Sequence, residues 1–77
     1  MKINIVVDSY VRKIYGIPYN EKEIELDNDV GLEELLIKIG LKLNLEIAVF
    51  VNNSLRWKNV ELKNNDIINI RYLLMGG

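Results

Sequence analysis

Two consecutive glycines, Gly76 and Gly77, close the sequence and leave a main-chain carboxylate with no side chain beside it. Glycine has no Cβ atom, so a Gly-Gly lead is thin enough to enter a narrow channel in another protein. An α-carboxyl group titrates at roughly 3.3–3.7 and is therefore ionised at neutral pH. The pair predicts a tail that presents its carboxylate to a partner's active site. The alternative is an ordinary frayed end or an expression remnant.

The chain has none of the side chains that most often perform catalysis. Its 77 residues contain no cysteine and no histidine. This composition excludes a disulfide framework, a zinc knuckle and a thiol nucleophile, and it removes the commonest metal ligand and general base. We therefore expect a protein that is not an enzyme on its own and that binds no metal or cofactor.

Length and charge set further bounds. A chain of 77 residues with 49% hydrophobic and 27% charged residues predicts one globular domain, residues 1–77, with one small core. The net charge is −1 without a basic stripe, so we expect no nucleic-acid partner. There is no apolar run long enough to cross a bilayer and no signal-peptide pattern. The expectation is a cytoplasmic protein without a membrane partner.

The first half of the sequence predicts a hairpin. Residues 2–7 alternate between apolar and polar types, as a half-buried strand does, and residues 23–26 alternate again. Residues 10–16 leave two interpretations open, a short helix ended by Gly16 or a loop held by aromatic side chains. Residues 17–20 contain the only proline and predict a turn.

A helix is predicted after the hairpin. Residues 27–29 are Asp-Asn-Asp, which are candidates for its N-cap, and Gly40 is a candidate for its end. The helix itself is indicated by apolar residues at positions i, i+3, i+4 and i+7, which are Leu32, Leu35, Leu36 and Ile39. We expect this stripe to face the core.

The second half predicts two further strands, residues 47–51 and residues 67–74. Residues 55–62 form a crossing segment whose Trp57 we interpret as a satellite core residue in preference to a contact residue. In the last strand Ile68, Ile70 and Tyr72 are expected to share one face.

This order of elements describes an α+β protein of the β-grasp type: a mixed sheet of four to five strands with one main helix packed across one face. The other face of the sheet is left available to a partner. Residues 74–77 are expected to form a flexible Gly-Gly tail. The candidate contact residues on this face and along the tail are Phe50, Arg71, Leu73, Leu74 and Met75.

The whole chain resembles the MoaD/ThiS sulfur carriers, which share the ubiquitin-like β-grasp. Residues 49–55, Val-Phe-Val-Asn-Asn-Ser-Leu, resemble the family's strand and "VN" turn, and residues 62–68 resemble its turn into the last strand. Gly76-Gly77 matches the family's terminal signature. Residues 10–20 resemble the MoaD insertion between the first two strands, although the two prolines usual before the glycines of MoaD are absent. The resemblance favours MoaD, with ThiS and archaeal ubiquitin-like modifiers as neighbours.

The resemblance implies a carrier cycle. A ubiquitin-activating-type adenylating enzyme, using its own ATP and Mg²⁺, would convert the Gly77 carboxylate to an acyl-adenylate, with Gly76 and Met75 giving the tail access to the active site. A sulfur donor would then leave a thiocarboxylate for a sulfur-accepting synthase subunit in cofactor biosynthesis, for molybdopterin first and thiamine next. Two alternatives remain: a modifier conjugated through Gly77, and a β-grasp module that binds partners non-covalently.

Overall fold

The structure is a computed structural model that describes residues 1–73. The predicted tail residues Leu74, Met75, Gly76 and Gly77 lie outside the described residues, so their predicted flexibility and roles stay predictions. The elements in chain order are β1 (Lys2–Val7), α1 (Ser9–Tyr15), β2 (Glu21–Glu25), α2 (Leu32–Lys38), β3 (Ile47–Val51), β4 (Ser54–Arg56) and β5 (Ile67–Tyr72).

The strands form one five-stranded mixed sheet in the order β2-β1-β5-β3-β4. The predicted hairpin is present, because β1 and β2 pair antiparallel with Ile3 opposite Ile24. The first and last strands pair in parallel at the centre of the sheet, with Ile5 beside Ile68. The sheet therefore brings the end of β5 next to the end of β1.

The core lies on one face of the sheet. Alternation along β1 and β5 directs Ile3, Ile5, Ile68 and Ile70 to this face, where each is completely buried. The helix α2 covers them with its apolar stripe, in which Leu32, Leu35 and Leu36 are also completely buried. Ile39 and Tyr72 pack against this core at its border. The predicted core role of the leucine stripe is confirmed.

The open question about residues 10–16 is settled in favour of a helix. The Asp8 side chain caps the start of α1, because its Oδ1 accepts a hydrogen bond from the Val11 amide at 2.8 Å. Val11 is completely buried, so α1 docks on the domain through this residue. The helix ends at Gly16, whose φ of 69° lies in the left-handed region that glycine adopts without strain. The predicted role of Gly16 is confirmed.

The predicted N-cap of α2 at residues 27–29 is wrong. The capping position is Gly31, and its hydrogen-bonding partner comes from another part of the chain: Asn59 Oδ1 accepts from the Glu33 amide at 2.9 Å. A Cβ atom on Gly31 would lie 2.8 Å from that oxygen, so a larger residue at position 31 would force the Asn59 side chain to shift. The predicted end of the helix is confirmed, since Gly40 follows α2 with a φ of 91°.

Asparagines take left-handed backbone conformations at two turns. Asn52 and Asn53 connect β3 to β4 with φ values of 50° and 72°, and Asn65 precedes β5 with a φ of 71°. Asparagine tolerates this region better than other residues with a Cβ atom. Asn65 therefore supplies the positive φ of the turn before β5 without a glycine.

The interpretation of Trp57 as a satellite core residue is wrong. Its side chain is 48% exposed just after the edge strand β4. The strand is only three residues long and none of its residues is buried, so Trp57 has too little sheet beside it to be covered.

Candidate functional site: the open sheet face and the exit of the last strand

The face of the sheet opposite α2 contains a row of side chains that crosses all five strands. We call it the open face, and its central row consists of Glu21, Val6, Asn69, Phe50 and Leu55, which are lateral neighbours in the strand register. Alternation fixes this arrangement on the three inner strands, where Val6, Asn69 and Phe50 each lie one position away from buried core residues. Pairing with these strands places Glu21 and Leu55 at the two ends of the row. The sheet therefore presents a mixed apolar and polar surface.

Phe50 and Arg71 lie together on the open face, as the sequence predicts. The guanidinium carbon of Arg71 is 5.6 Å from the centre of the Phe50 ring, within the range of a cation–π contact. Phe50 is half-buried, and Arg71 is exposed. Part of an aromatic ring and an exposed guanidinium group thus lie side by side on this surface, and the docking role of both residues stays a prediction.

An acidic edge borders this surface. Glu21, Glu23 and Glu25 on the edge strand β2 are all exposed, and their register places them beside Val6, Asn4 and Lys2. Charged side chains along an edge strand oppose pairing with a second sheet edge. The open face therefore combines a mixed apolar and polar centre with one negative border.

The exit of the last strand is fixed from two sides. On one side, Asp8 Oδ2 accepts a hydrogen bond from the Tyr72 amide at 2.9 Å, while its other oxygen caps α1. On the other side, the Glu46 carbonyl oxygen accepts from the Leu73 amide at 2.7 Å. We call these two contacts the exit clamp. Leu73 is half-buried, and the predicted tail begins immediately after it.

Aromatic side chains surround the exit clamp. The rings of Tyr10 and Tyr72 have their centres 4.7 Å apart at a tilt of 38°, which is a favourable offset geometry. The Tyr15 hydroxyl donates a hydrogen bond to Glu46 Oε2 at 3.0 Å. Both tyrosines at positions 10 and 15 belong to α1, so this helix contributes to each side of the exit.

Burial raises the pKa of the Tyr15 phenol above its ordinary value, and the hydrogen bond to Glu46 raises the pKa further. The unfolded chain therefore loses the Tyr15 proton first, and this contribution to stability is full below about pH 10 and is lost as the pH rises through the higher folded value. We expect Tyr15→Phe to lose less unfolding free energy than the unsubstituted protein when the pH is raised from 9 to about 11. Urea unfolding at each pH measures this difference, and equal losses in both proteins would contradict the assignment.

A polar network connects the start of β5 to the end of β3. Asp66 is 7% exposed, and its two carboxylate oxygens accept hydrogen bonds from Asn52 Nδ2 and the Lys63 amide, both at 2.7 Å. Asn52 Oδ1 in turn accepts from the Ile67 amide at 2.9 Å. The network sets where β5 begins, and the exit clamp sets where it ends.

Sequence reasoning missed Asp8 and Glu46 as site residues. The sequence does contain a signal for the helix-capping contact of Asp8, because an aspartate three residues before the apolar Val11 is typical of an N-cap. Nothing in the sequence indicates the second hydrogen bond of Asp8, which joins residues 64 positions apart. The Glu46 contact uses a main-chain carbonyl, which any residue type could supply.

Within residues 1–73, no helix is long and apolar enough to cross a membrane. The same part of the chain holds no group of three acidic side chains placed to bind a metal ion.

The element order, the mixed sheet and the packing of α2 across one face are those of the ubiquitin-like β-grasp fold, so the predicted fold class is confirmed. A solved protein with this fold is SAMP1 from Haloferax volcanii, to which the structure is similar with a TM-score of 0.77 and 12% sequence identity over 100% of both chains. At this identity the similarity concerns the fold. No protein-family profile matches the sequence, and no curated protein matches it either.

Proposed function

We propose that this chain is a ubiquitin-like sulfur carrier that is activated at the Gly77 carboxylate. The observation that carries the proposal is the occurrence of Gly76-Gly77 after a complete ubiquitin-like β-grasp domain, a fold that the chain shares with SAMP1 over 100% of both chains. The Gly76-Gly77 sequence follows the last strand of this fold, where a carboxylate could reach a partner's active site. The chain would act as a protein co-substrate and not as an enzyme.

In the proposed cycle the Gly77 carboxylate attacks the α-phosphate of ATP in a ubiquitin-activating-type adenylating enzyme. Pyrophosphate leaves, and an acyl-adenylate forms. Sulfur at the oxidation level of hydrosulfide then attacks the acyl carbon, AMP leaves, and a thiocarboxylate remains. A synthase subunit would accept this sulfur for molybdopterin, with thiamine as the next pathway. ATP and Mg²⁺ belong to the partner enzyme in this proposal.

The open face is the proposed docking surface for the adenylating enzyme. Phe50 and Leu55 provide apolar area, and Leu55 is 42% exposed. The guanidinium group of Arg71 lies over the ring of Phe50 and could pair with an acidic group at the rim of the partner. Leu73 and, beyond the described residues, Leu74 and Met75 would extend the contact toward the active site.

Phe50→Ala is expected to weaken binding to the cognate adenylating enzyme by about 10-fold or more, because aromatic residues at the centre of an interface provide a large part of the binding energy. Isothermal titration calorimetry measures the effect. Ile37→Ala is the matched control, since Ile37 lies on α2 on the other side of the sheet and is 66% exposed. If Phe50→Ala strongly lowers the unfolding free energy and leaves the affinity for the enzyme unchanged, Phe50 stabilises the fold and does not contact the partner.

A modifier conjugated through Gly77 is the second candidate, because the same fold and the same Gly76-Gly77 sequence would serve it equally. Both candidates use the same activation and differ in the acceptor of the acyl group: sulfur in one case, a target lysine in the other.

Intact mass spectrometry of the full chain, incubated with the cognate adenylating enzyme, ATP and a sulfur source, tests the proposal. The expected product has one oxygen of Gly77 exchanged for sulfur. Larger adducts joined through Gly77 to lysines would favour the modifier. An unchanged mass while the enzyme is demonstrably bound would leave a β-grasp module that acts by non-covalent binding.

A further inference from the structure

We propose that Asp8 is a positioning residue, which holds the end of β5 in the orientation that the tail needs for activation. The proposal rests on the proposed function for its catalytic part. Its structural part, that Asp8 fixes the exit of the chain from the sheet, is independent of any partner.

The two oxygens of the Asp8 carboxylate perform different tasks. Oδ1 accepts from the Val11 amide in the first turn of α1, and Oδ2 accepts from the Tyr72 amide at the end of β5. The Asp8 amide also donates to the Ile70 carbonyl oxygen at 3.0 Å. The half-buried Asp8 therefore connects the start of α1 to two residues near the end of β5, Ile70 and Tyr72.

An N-cap alone does not require this arrangement. Serine, threonine and asparagine cap helices about as well as aspartate, and each does so with one acceptor atom. Two acceptors that diverge toward α1 and β5 require a carboxylate. Hydrogen bonds to an ionised acceptor are also roughly twice as strong as those between neutral groups.

The position of the clamp gives it a functional consequence. Tyr72 and Leu73 are the last residues before the tail, and both of their amides are held, one by Asp8 and one by the Glu46 carbonyl oxygen. The Tyr10 ring also packs against the Tyr72 ring, with the two ring centres 4.7 Å apart. The described chain therefore ends in two residues whose main-chain positions are both fixed by hydrogen bonds. Placing a reacting group correctly contributes strongly to rate, and a small misplacement is costly.

The test uses the full chain with Asp8→Asn, which retains the shape of the side chain and only one acceptor oxygen. Asn59→Ala is the matched control, because it also removes a side-chain acceptor from a helix start, at the Glu33 amide and away from the exit. Amide hydrogen exchange of Tyr72, followed by NMR, is expected to accelerate about 10-fold or more in Asp8→Asn relative to the control.

The second readout is activation by the cognate adenylating enzyme, measured as ATP–pyrophosphate exchange. We expect Asp8→Asn to lower kcat by about 10-fold with little change in KM, because the open face still docks while the carboxylate is misplaced. Asn59→Ala is expected to change neither constant. Asp8→Ser, which keeps a cap for α1 but has no second acceptor, is expected to behave as Asp8→Asn does.

The proposal is overturned if Tyr72 exchange in Asp8→Asn follows the control, since the clamp would then not hold the exit. It is also overturned if exchange accelerates and kcat stays unchanged, because the clamp would then not position the tail. If the unsubstituted chain is not activated at all, the proposed function fails, and the exchange measurement still decides whether Asp8 fixes the end of β5.

Discussion

Gly77→Ala is expected to lower the rate of tail activation by the cognate adenylating enzyme on the order of 100-fold. A methyl group at this position would crowd a channel shaped for a chain without side chains, and it would displace the attacking carboxylate from the α-phosphate. The measurement is single-turnover formation of the acyl-adenylate or the thiocarboxylate by mass spectrometry. Addition of one residue after Gly77 should have an equal or larger effect, since the reacting carboxylate would then be moved by a whole residue.

The fold supplies the control for this result. Residue 77 follows the last residue of β5 by five positions in the sequence, so we expect Gly77→Ala to leave the unfolding free energy unchanged within about 0.5 kcal/mol. Binding to the enzyme through the open face should also persist. A Gly77→Ala protein that is activated at the normal rate would contradict the requirement for a residue without a side chain at position 77.

Asp66→Ala is expected to lower the unfolding free energy by about 2–4 kcal/mol, because it removes two hydrogen bonds to a buried carboxylate and leaves their donors, Asn52 Nδ2 and the Lys63 amide, without that acceptor. These contacts set the start of β5, which is the central strand of the sheet. Urea or thermal unfolding of the purified protein measures the loss.

Asp29→Ala is the matched control for Asp66. Asp29 is exposed, and within residues 1–73 its carboxylate accepts no hydrogen bond, so its removal should change stability by less than about 0.5 kcal/mol. Asp66→Asn keeps one acceptor oxygen and should fall between the two. Equal stability of Asp66→Ala and Asp29→Ala would show that the network contributes nothing to the fold.

The periodic elements could be predicted from the sequence because a single rule decides each of them. Alternation places Ile3 and Ile5 on the core face, and helical spacing does the same for Leu35 and Leu36. The start of α2 could not be predicted in this way. Its capping oxygen belongs to Asn59, which is distant in the sequence, and the nearby Asp-Asn-Asp segment was the stronger local signal. Trp57 was misinterpreted because burial after a three-residue edge strand depends on neighbours that composition does not reveal.

In the candidate site, too, the features set by strand alternation could be predicted, and those set by contacts between distant residues could not. Phe50 and Arg71 could be placed on one face because strand alternation fixes the direction of both side chains, and the structure brings them into contact. The exit clamp was not predictable, because it depends on the parallel pairing that places Asp8, just after β1, beside the end of β5. Residues 74–77 contain the reactive group of the proposal, and their predicted role depends on their sequence alone.

The central pairing of β1 with β5 has a consequence for folding during synthesis. Its partners, such as Asn4 and Ile67, are separated by more than sixty residues, so the middle of the sheet cannot form until the last strand has been made. Pairing over such a distance is slow compared with local contacts, and the β1–β2 hairpin is only marginally stable by itself. A nascent chain therefore displays no complete open face before β5 leaves the ribosome. If an activating enzyme docks on this face, as proposed, it would not bind unfinished chains. It would bind only chains in which β5 has been made and paired with β1.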